Sequence, residues 1–362
     1  MGGFGIDGFY VDLTKIKENL MITNNWIKSR LGLLAILLLG VVNPGITQQT
    51  PHVVFERWSV QELLPGGRFD AIAHVGGHTV VMGSRGKNPG QLFISRDLGQ
   101  TWENTGKITE DEITCISHGG GDLVYLLTGK SNFYRSEDGG QSWKWLGTIS
   151  NNKNTEGYTL SYGIFVTKSG TVLVSDTESS GGHIYRSEDR GDSWHDVGVV
   201  SPRALYRFQG TDQGVLVNGW HGSIYRSTDD GLTWEETGRL ADSPLYATEY
   251  LGDNIVLQGS EAGHVYRSTD EGESWQDLGK ISEAADDMVD LGNGAVLLTT
   301  YRQAKHLYLS LDFGLTWENL GPLNTGVEGD WFDHVIQITQ EDGVVMVGGS
   351  HAGFAVRGEV RR

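Results

Sequence analysis

The chain has 362 residues, with 28 Lys and Arg against 46 Asp and Glu for a net charge of −18, which argues against both nucleic acid and anionic membrane as partners. Its 52 Gly and 11 Trp suit short strands, tight turns and aromatic packing rather than helices. The single cysteine, Cys115, rules out an internal disulfide and is expected to pack as a small apolar residue in a strand.

At the N-terminus, Lys28 and Arg30 precede the apolar run Leu31 to Val42, then Asn43-Pro44-Gly45 and a polar stretch ending at Pro51. That is the layout of a signal peptide, too short for an ordinary transmembrane span. Residues 1–48 are therefore read as an N-terminal extension and signal peptide, with the native start at Met21 and cleavage near Thr47 or Gln48. An uncleaved anchor is the alternative. Residues 49–362 then form a single domain, secreted or periplasmic, monomeric, and off the membrane once the signal is removed.

From residue 95 onward one eight-residue pattern, Ser-x-Asp-x-Gly-x-(Ser/Thr)-Trp, recurs six times: Ser95–Trp102, Ser136–Trp143, Ser187–Trp194, Ser227–Trp234, Ser268–Trp275 and Ser310–Trp317. The spacing of the tryptophans is that of a four-stranded propeller blade. In such a turn the Asp carboxylate accepts backbone N–H groups, the Gly supplies a positive φ, and the Trp ring packs beside the blade core. Upstream of each box lies a short apolar run fit for a buried strand. There are seven such runs: Thr79–Met82, Leu123–Leu127, Thr171–Val174, Val215–Val217, Ile255–Leu257, Ala295–Leu298 and Val344–Val347. The seventh has no box after it. The segment His52–Leu63, with Trp58 in the place of a box tryptophan, has the composition of the missing outer strand. The prediction is an all-β, seven-bladed β-propeller with six box hairpins, closed by pairing of the N- and C-terminal strands, which leaves no open seam.

Over residues 52–362 these boxes resemble those of the Asp-box, or BNR-repeat, β-propellers, a superfamily that includes sialidases, xyloglucanases, some polysaccharide lyases, sortilin-type receptors and a photosystem II assembly factor. The resemblance implies that the boxes are structural and that a functional site lies on the opposite face. The repeated Tyr and Arg of the third strands (Tyr134-Arg135, Tyr185-Arg186, Tyr225-Arg226 and Tyr266-Arg267) read as blade-packing and surface residues, because blade after blade carries them.

Departures between copies locate the candidate site. The loops between second and third strands share one face with the blade-to-blade connections, and there the copies diverge. Blade 1 offers Arg68 and Arg85; blade 4 offers Arg203, Tyr206, Trp220 and His221; blade 5 offers Glu261; blade 6 offers Asp286, Asp287, Tyr301 and Arg302; blade 7 opens with Trp331, Asp333 and His334. Aromatic faces stack on sugar C–H surfaces, carboxylates bind hydroxyls, and arginine clamps a uronate or sialate carboxylate. The expected partner is an oligo- or polysaccharide, with anionic ones suited to the arginines, and no metal or cofactor is called for.

Resemblance to sialidases places Arg68 and Arg85 as the opening arginines, with Arg203 and Arg302 completing the set, Tyr301 as nucleophile and Glu261 as its base. The stretch between Arg85 and the first box holds no carboxylate where a sialidase keeps its acid. A two-carboxylate glycosidase would draw on Glu261, Asp287 and Asp333, and a uronate lyase on His221, Tyr301, His334 and Arg302. Trp220 and Trp331 would stack on the sugar. The alternative is a non-catalytic binding or assembly propeller recognising a glycan or protein. If the funnel is a carbohydrate active site, Asp333→Asn or His334→Ala abolishes polysaccharide turnover while the melting temperature stays nearly unchanged, as assayed by reducing-end release and thermal unfolding.

Overall fold

The computed structural model describes residues 54–65, 67–86, 88–150, 160–178, 180–300, 306–322, 335–341, 343–349 and 354–361. Seven four-stranded antiparallel sheets follow one another, all within the unit Thr50–Arg362. Blade 1 runs through the strands Arg68–His74, Val80–Arg85, Gln91–Ser95 and Glu103–Lys107, and each later blade repeats that meander. The first strand of each blade lies innermost, beside the first strands of its neighbours. Blade 7 is composite: Val54–Glu62 pairs antiparallel with Phe354–Arg361, Trp58 opposite Gly358, so both ends of the domain share one sheet as predicted.

The core is divided among the contacts between blades. Where blades 2 and 3 meet, Cys115, Tyr125, Leu127 and Phe133 pack against Ile164, Val172, Val174 and Tyr185, with the box tryptophan Trp194 set edge-on to Phe133 at 4.9 Å between ring centroids. Cys115 behaves as a small core residue there, and burial pushes its thiol up to about 11.

Each box is a closed hydrogen-bonded unit. In the fourth blade the Asp229 Oδ1 accepts the backbone N–H of Thr233 at 2.8 Å and the Ser227 hydroxyl at 2.9 Å, while Oδ2 accepts the Thr233 hydroxyl at 2.6 Å. Ser227 Oγ in turn accepts the N–H of Gly231 at 2.9 Å. The other five boxes repeat these bonds, centred on Asp97, Asp138, Asp189, Asp270 and Asp312. Desolvation opposes the charge at Asp97, Asp138, Asp229, Asp270 and Asp312, yet the converging donors outweigh it and hold all five low. At Asp189 the Ser193 hydroxyl is the largest influence, in the same direction.

Two consecutive residues of every box are left-handed. One is the box glycine, such as Gly231 at φ 82°. The residue before it is Leu98, Gly139, Arg190, Asp230, Glu271 or Phe313, glycine in only one of the six. That turn aims a carbonyl at the preceding blade, where an arginine of the third strand meets it. Arg135 Nη1 donates to Arg190 O at 3.0 Å, Arg186 Nε to Asp230 O at 2.9 Å and Arg267 Nε to Phe313 O at 3.0 Å. Arg357 Nε donates to Leu98 O at 2.9 Å, from blade 7 to blade 1 across the closure. These arginines are thus inter-blade clamps, and Arg135, Arg186 and Arg226 are buried rather than lying on the surface. Blades 1 and 6 carry Ile94 and Leu309 in the same slot. Arg357→Leu, which installs the blade 6 residue type at the closure, should lower stability by about 2 kcal/mol, the worth of a charged hydrogen bond, read as a lower urea midpoint.

Candidate functional site

In an antiparallel meander the turns after the second strands and the connections between blades fall on one face, here the loop face, and the box turns fall on the other. The two predicted arginines of blade 1 stand opposite one another at this edge, Arg68 pairing in register with Arg85. Arg85 is taken up by the neighbouring blade connection: its Nε lies 2.7 Å from Glu112 Oε2, and the N–H of Gly86 donates to the same carboxylate at 3.2 Å.

Blades 4 and 5 bring several predicted residues together. Trp220 begins a one-turn 3-10 segment, Trp220–Gly222, that caps the second strand of blade 4, and its N–H donates to Ala204 O at 2.9 Å. The turn is sharp because His221 is left-handed at φ 62° and Gly222 follows at φ 73°, where a Cβ would strike the Ala241 backbone. Trp220 is 42% exposed, a large value for an indole. Its ring sits 6.3 Å from Tyr206, which in turn lies 5.3 Å from Tyr246 of blade 5, so three aromatic rings form a shelf across two blades. His221 stands edge-on to Trp220, with Nδ1 3.4 Å from the Asp242 carbonyl. Glu261 borders the same sector, tied by its N–H to Pro244 O at 2.8 Å. Arg203 is exposed, and among the described residues its guanidinium has no hydrogen-bond or ion-pair partner.

Asp287 goes elsewhere. It is buried, with Oδ1 2.5 Å from Arg207 Nη1 and 2.9 Å from its neighbour's N–H at Met288. Arg207 belongs to the inner strand of blade 4 and Asp287 to that of blade 6. Two non-adjacent blades can meet in this way only across the axis of the ring, so the pair crosses the central bore. Burial works against the Arg207 charge, but Asp287 and Asp286 outweigh it. Glu249, on the inner strand of blade 5 between them, accepts the N–H of Asp290 at 3.1 Å. Desolvation in the bore, with Asp287 and Asp290 adding to it, pushes the Glu249 carboxyl up to about 8. Blades 4 and 5 are further joined by a buried amide relay in which Asn218 Nδ2 donates to Gln258 Oε1 at 3.2 Å and Gln258 Nε2 to Thr248 Oγ1 at 2.7 Å.

The predicted Tyr301, Arg302, Trp331, Asp333 and His334 lie outside the described residues. Sequence reasoning missed Tyr246, Arg207 and Glu249. The signal available was a charged side chain within an inner strand, which a search confined to loops passes over. Among the described residues no group of three His, Cys, Asp or Glu side chains is arranged to hold a metal ion.

No family model matches the chain, and no curated protein matches it. Among solved structures it is similar to YCF48 bound to D1 peptide, at 18% identity and a TM-score of 0.64 over 83% of this chain and 96% of that one. It is also similar to YCF48 from Cyanidioschyzon merolae, at 15% identity and a TM-score of 0.60 over 83% and 98%. The virginiamycin B lyase of Staphylococcus aureus, solved as a catalytically inactive variant with quinupristin, matches at 13% identity and a TM-score of 0.68 over 84% and 99%. At such identities the likeness shows the propeller fold, which serves enzymes and other proteins alike.

The raised Glu249 sets a sign. A carboxyl protonated in the fold but ionised in the unfolded chain stabilises fully below the ordinary carboxylate range, and that contribution fades as pH rises toward about 8. The difference in melting temperature between wild type and Glu249→Gln should therefore shift against the wild type between pH 5 and pH 9, as followed by thermal unfolding across that range.

Proposed function

We propose that the chain is an exported binding propeller that docks a polypeptide segment of a partner protein on the loop face of blades 4 and 5. The exposed Trp220, continued by Tyr206 and Tyr246, with the exposed Arg203 in the adjoining blade connection, is the observation that carries this reading. An exposed tryptophan beside tyrosines and an arginine is the composition of an interface hot spot. The rings accept apolar side chains, and Arg203 takes a carboxylate of the bound segment. The YCF48 structure with its D1 peptide supports the choice of a peptide ligand for this architecture, and the leader around Leu31–Val42 supports export.

A second reading, a glycoside hydrolase or uronate lyase of the sialidase-like Asp-box class, is favoured by one observation. In the bore, Glu249 is held protonated while Asp287 faces an arginine, and two carboxyl groups in unlike environments are what acid and base roles require. The first reading is preferred because Trp220 is exposed, whereas Asp287 is buried and already bonded to Arg207.

The test uses the chain from Gln49 onward, displayed peptide libraries, and a panel of sialosides, neutral glycans and uronate polysaccharides. Peptides selected by the protein should bind Trp220→Ala at least about tenfold more weakly, with an unchanged melting temperature. Turnover of any polysaccharide, lost in Glu249→Gln, would move the assignment to the enzyme.

A further inference from the structure

Three blades carry a histidine at or near the head of the third strand, and each meets a side chain of the fourth. His183 Nδ1 lies 3.2 Å from Asp196 Oδ1, His264 Nδ1 3.1 Å from Asp277 Oδ2, and His306 Nδ1 3.0 Å from Asn319 Nδ2. The fourth-strand residue is itself fixed, because Asp196, Asp277 and Asn319 each accept the N–H of the glycine two residues on, at 2.8, 2.7 and 2.8 Å. The pairing is a repeated structural device, and the copies differ in what meets the other ring nitrogen.

Among the described residues, blade 3 alone brings a hydroxyl to it: Ser180 Oγ stands 2.8 Å from His183 Nε2. The strand ladder explains the difference. In blade 3 it runs past His183 to Gly181, opposite Glu178, while in blade 5 it stops at Val265, opposite Gly259, one residue short of His264. The longer hairpin of blade 3 is held from the side by the connection to blade 4, since a Cβ on Gly181 would lie 2.3 Å from Ser201 O and one on Gly182 2.5 Å from Arg203 O. Ser180 is exposed, whereas His183 is buried and its ring stacks on Tyr185 at 6.2 Å between centroids. A carboxylate can only accept, so Asp196 keeps the proton of the neutral imidazole on Nδ1 and leaves the Nε2 lone pair for the Ser180 hydroxyl.

We infer that Ser180, His183 and Asp196 form a nucleophilic site that hydrolyses a carboxylic ester. Ser180 Oγ attacks the carbonyl carbon as its proton passes to His183 Nε2, and that proton goes to the alcohol oxygen as the ester C–O bond breaks, leaving the acyl group on Ser180. Water then attacks the acyl carbonyl, giving a proton to the same nitrogen, which returns it to Ser180 Oγ as the carboxylic acid departs. Asp196 is the positioning residue, fixing the tautomer and the direction of the ring. With Ser180 exposed, water solvates the oxyanion of the tetrahedral intermediate, which serves an ester better than the less reactive amide. The site belongs to blade 3 and stands independently of the peptide shelf.

Two measurements on the chain from Gln49 onward test the assignment: labelling by a fluorophosphonate probe, with the modified residue located by mass spectrometry, and hydrolysis of p-nitrophenyl acetate. The probe should modify Ser180, and Ser180→Ala should lose the label and at least about a hundredfold in kcat. Since Ser180 is exposed, that variant should keep the wild-type melting temperature, which separates loss of the site from loss of the fold. Asp196→Asn keeps an acceptor for the Gly198 N–H, as Asn319 does for Gly321, but turns an amide N–H toward Nδ1, as Asn319 does toward His306. The ring proton then sits on Nε2, so kcat should fall at least about a hundredfold with KM and melting temperature unchanged. An unlabelled protein, a label that survives in Ser180→Ala, or hydrolysis by Ser180→Ala at the wild-type rate would each overturn the proposal, and a wild-type kcat in Asp196→Asn would overturn the role of Asp196.

Discussion

At four of the seven junctions one blade is fastened to the next through a carbonyl that a left-handed turn presents. The box carboxylate gathers a backbone N–H and two hydroxyls, and its serine binds the glycine N–H, so the turn is locked with two successive residues at positive φ. Leucine, arginine, aspartate, glutamate and phenylalanine all occupy the first of those positions, where side chains ordinarily disfavour the conformation. The strain is accepted because the outward carbonyl then meets an arginine of the preceding blade, charged and at least half-buried, at about 3 Å. At the closure the same bond joins residues 259 positions apart, so one local turn, repeated, holds a ring together over its longest sequence separation.

The arrangement leaves the loop face free to vary. With the hydrogen-bonded turns on the far side and the apolar contacts between blades, loops after second strands bear little structural demand. Blade 4 can therefore place a left-handed His221 after an exposed Trp220. The bore is under the opposite demand. Seven inner strands converge there, and polar side chains have no route to bulk water except along the axis, so they must bond to each other. Arg207 and Asp287 do this across two blades, and Glu249 does it by giving up its charge at neutral pH.

Comparison of the copies was informative to different depths. Six boxes and seven apolar runs made the blade count and the shared terminal blade legible, because each signal is local and repeats against its own background. Repetition also misdirected the reading of the third-strand arginines. A residue present in most blades looks like surface or packing, yet its partner is a backbone carbonyl in the next blade, which carries no side-chain signature. On the loop face Arg203, Trp220 and His221 lie in one sector, at the entry and the second-strand turn of blade 4. Tyr246 was missed because it opens an inner strand, and Asp287 was assigned to the rim because its position in the blade does not reveal which way the strand turns it.

By itself the sequence determined the architecture: the boxes recur at the period of a blade, each box closes its hydrogen bonds within eight residues, and the last apolar run is left without a box for the N-terminal segment to complete. Only the tertiary structure decided which charges remain available. Arg85 and Arg203 both read from sequence as loop-face arginines, but Glu112 engages the first and no described carboxylate engages the second. Tyr125 is one aromatic among many until the fold buries its hydroxyl with no hydrogen-bond partner among the described residues. The physical reason is that hydrogen-bond satisfaction and desolvation depend on groups from other blades, and the curvature that brings those blades together is not encoded in any one of them.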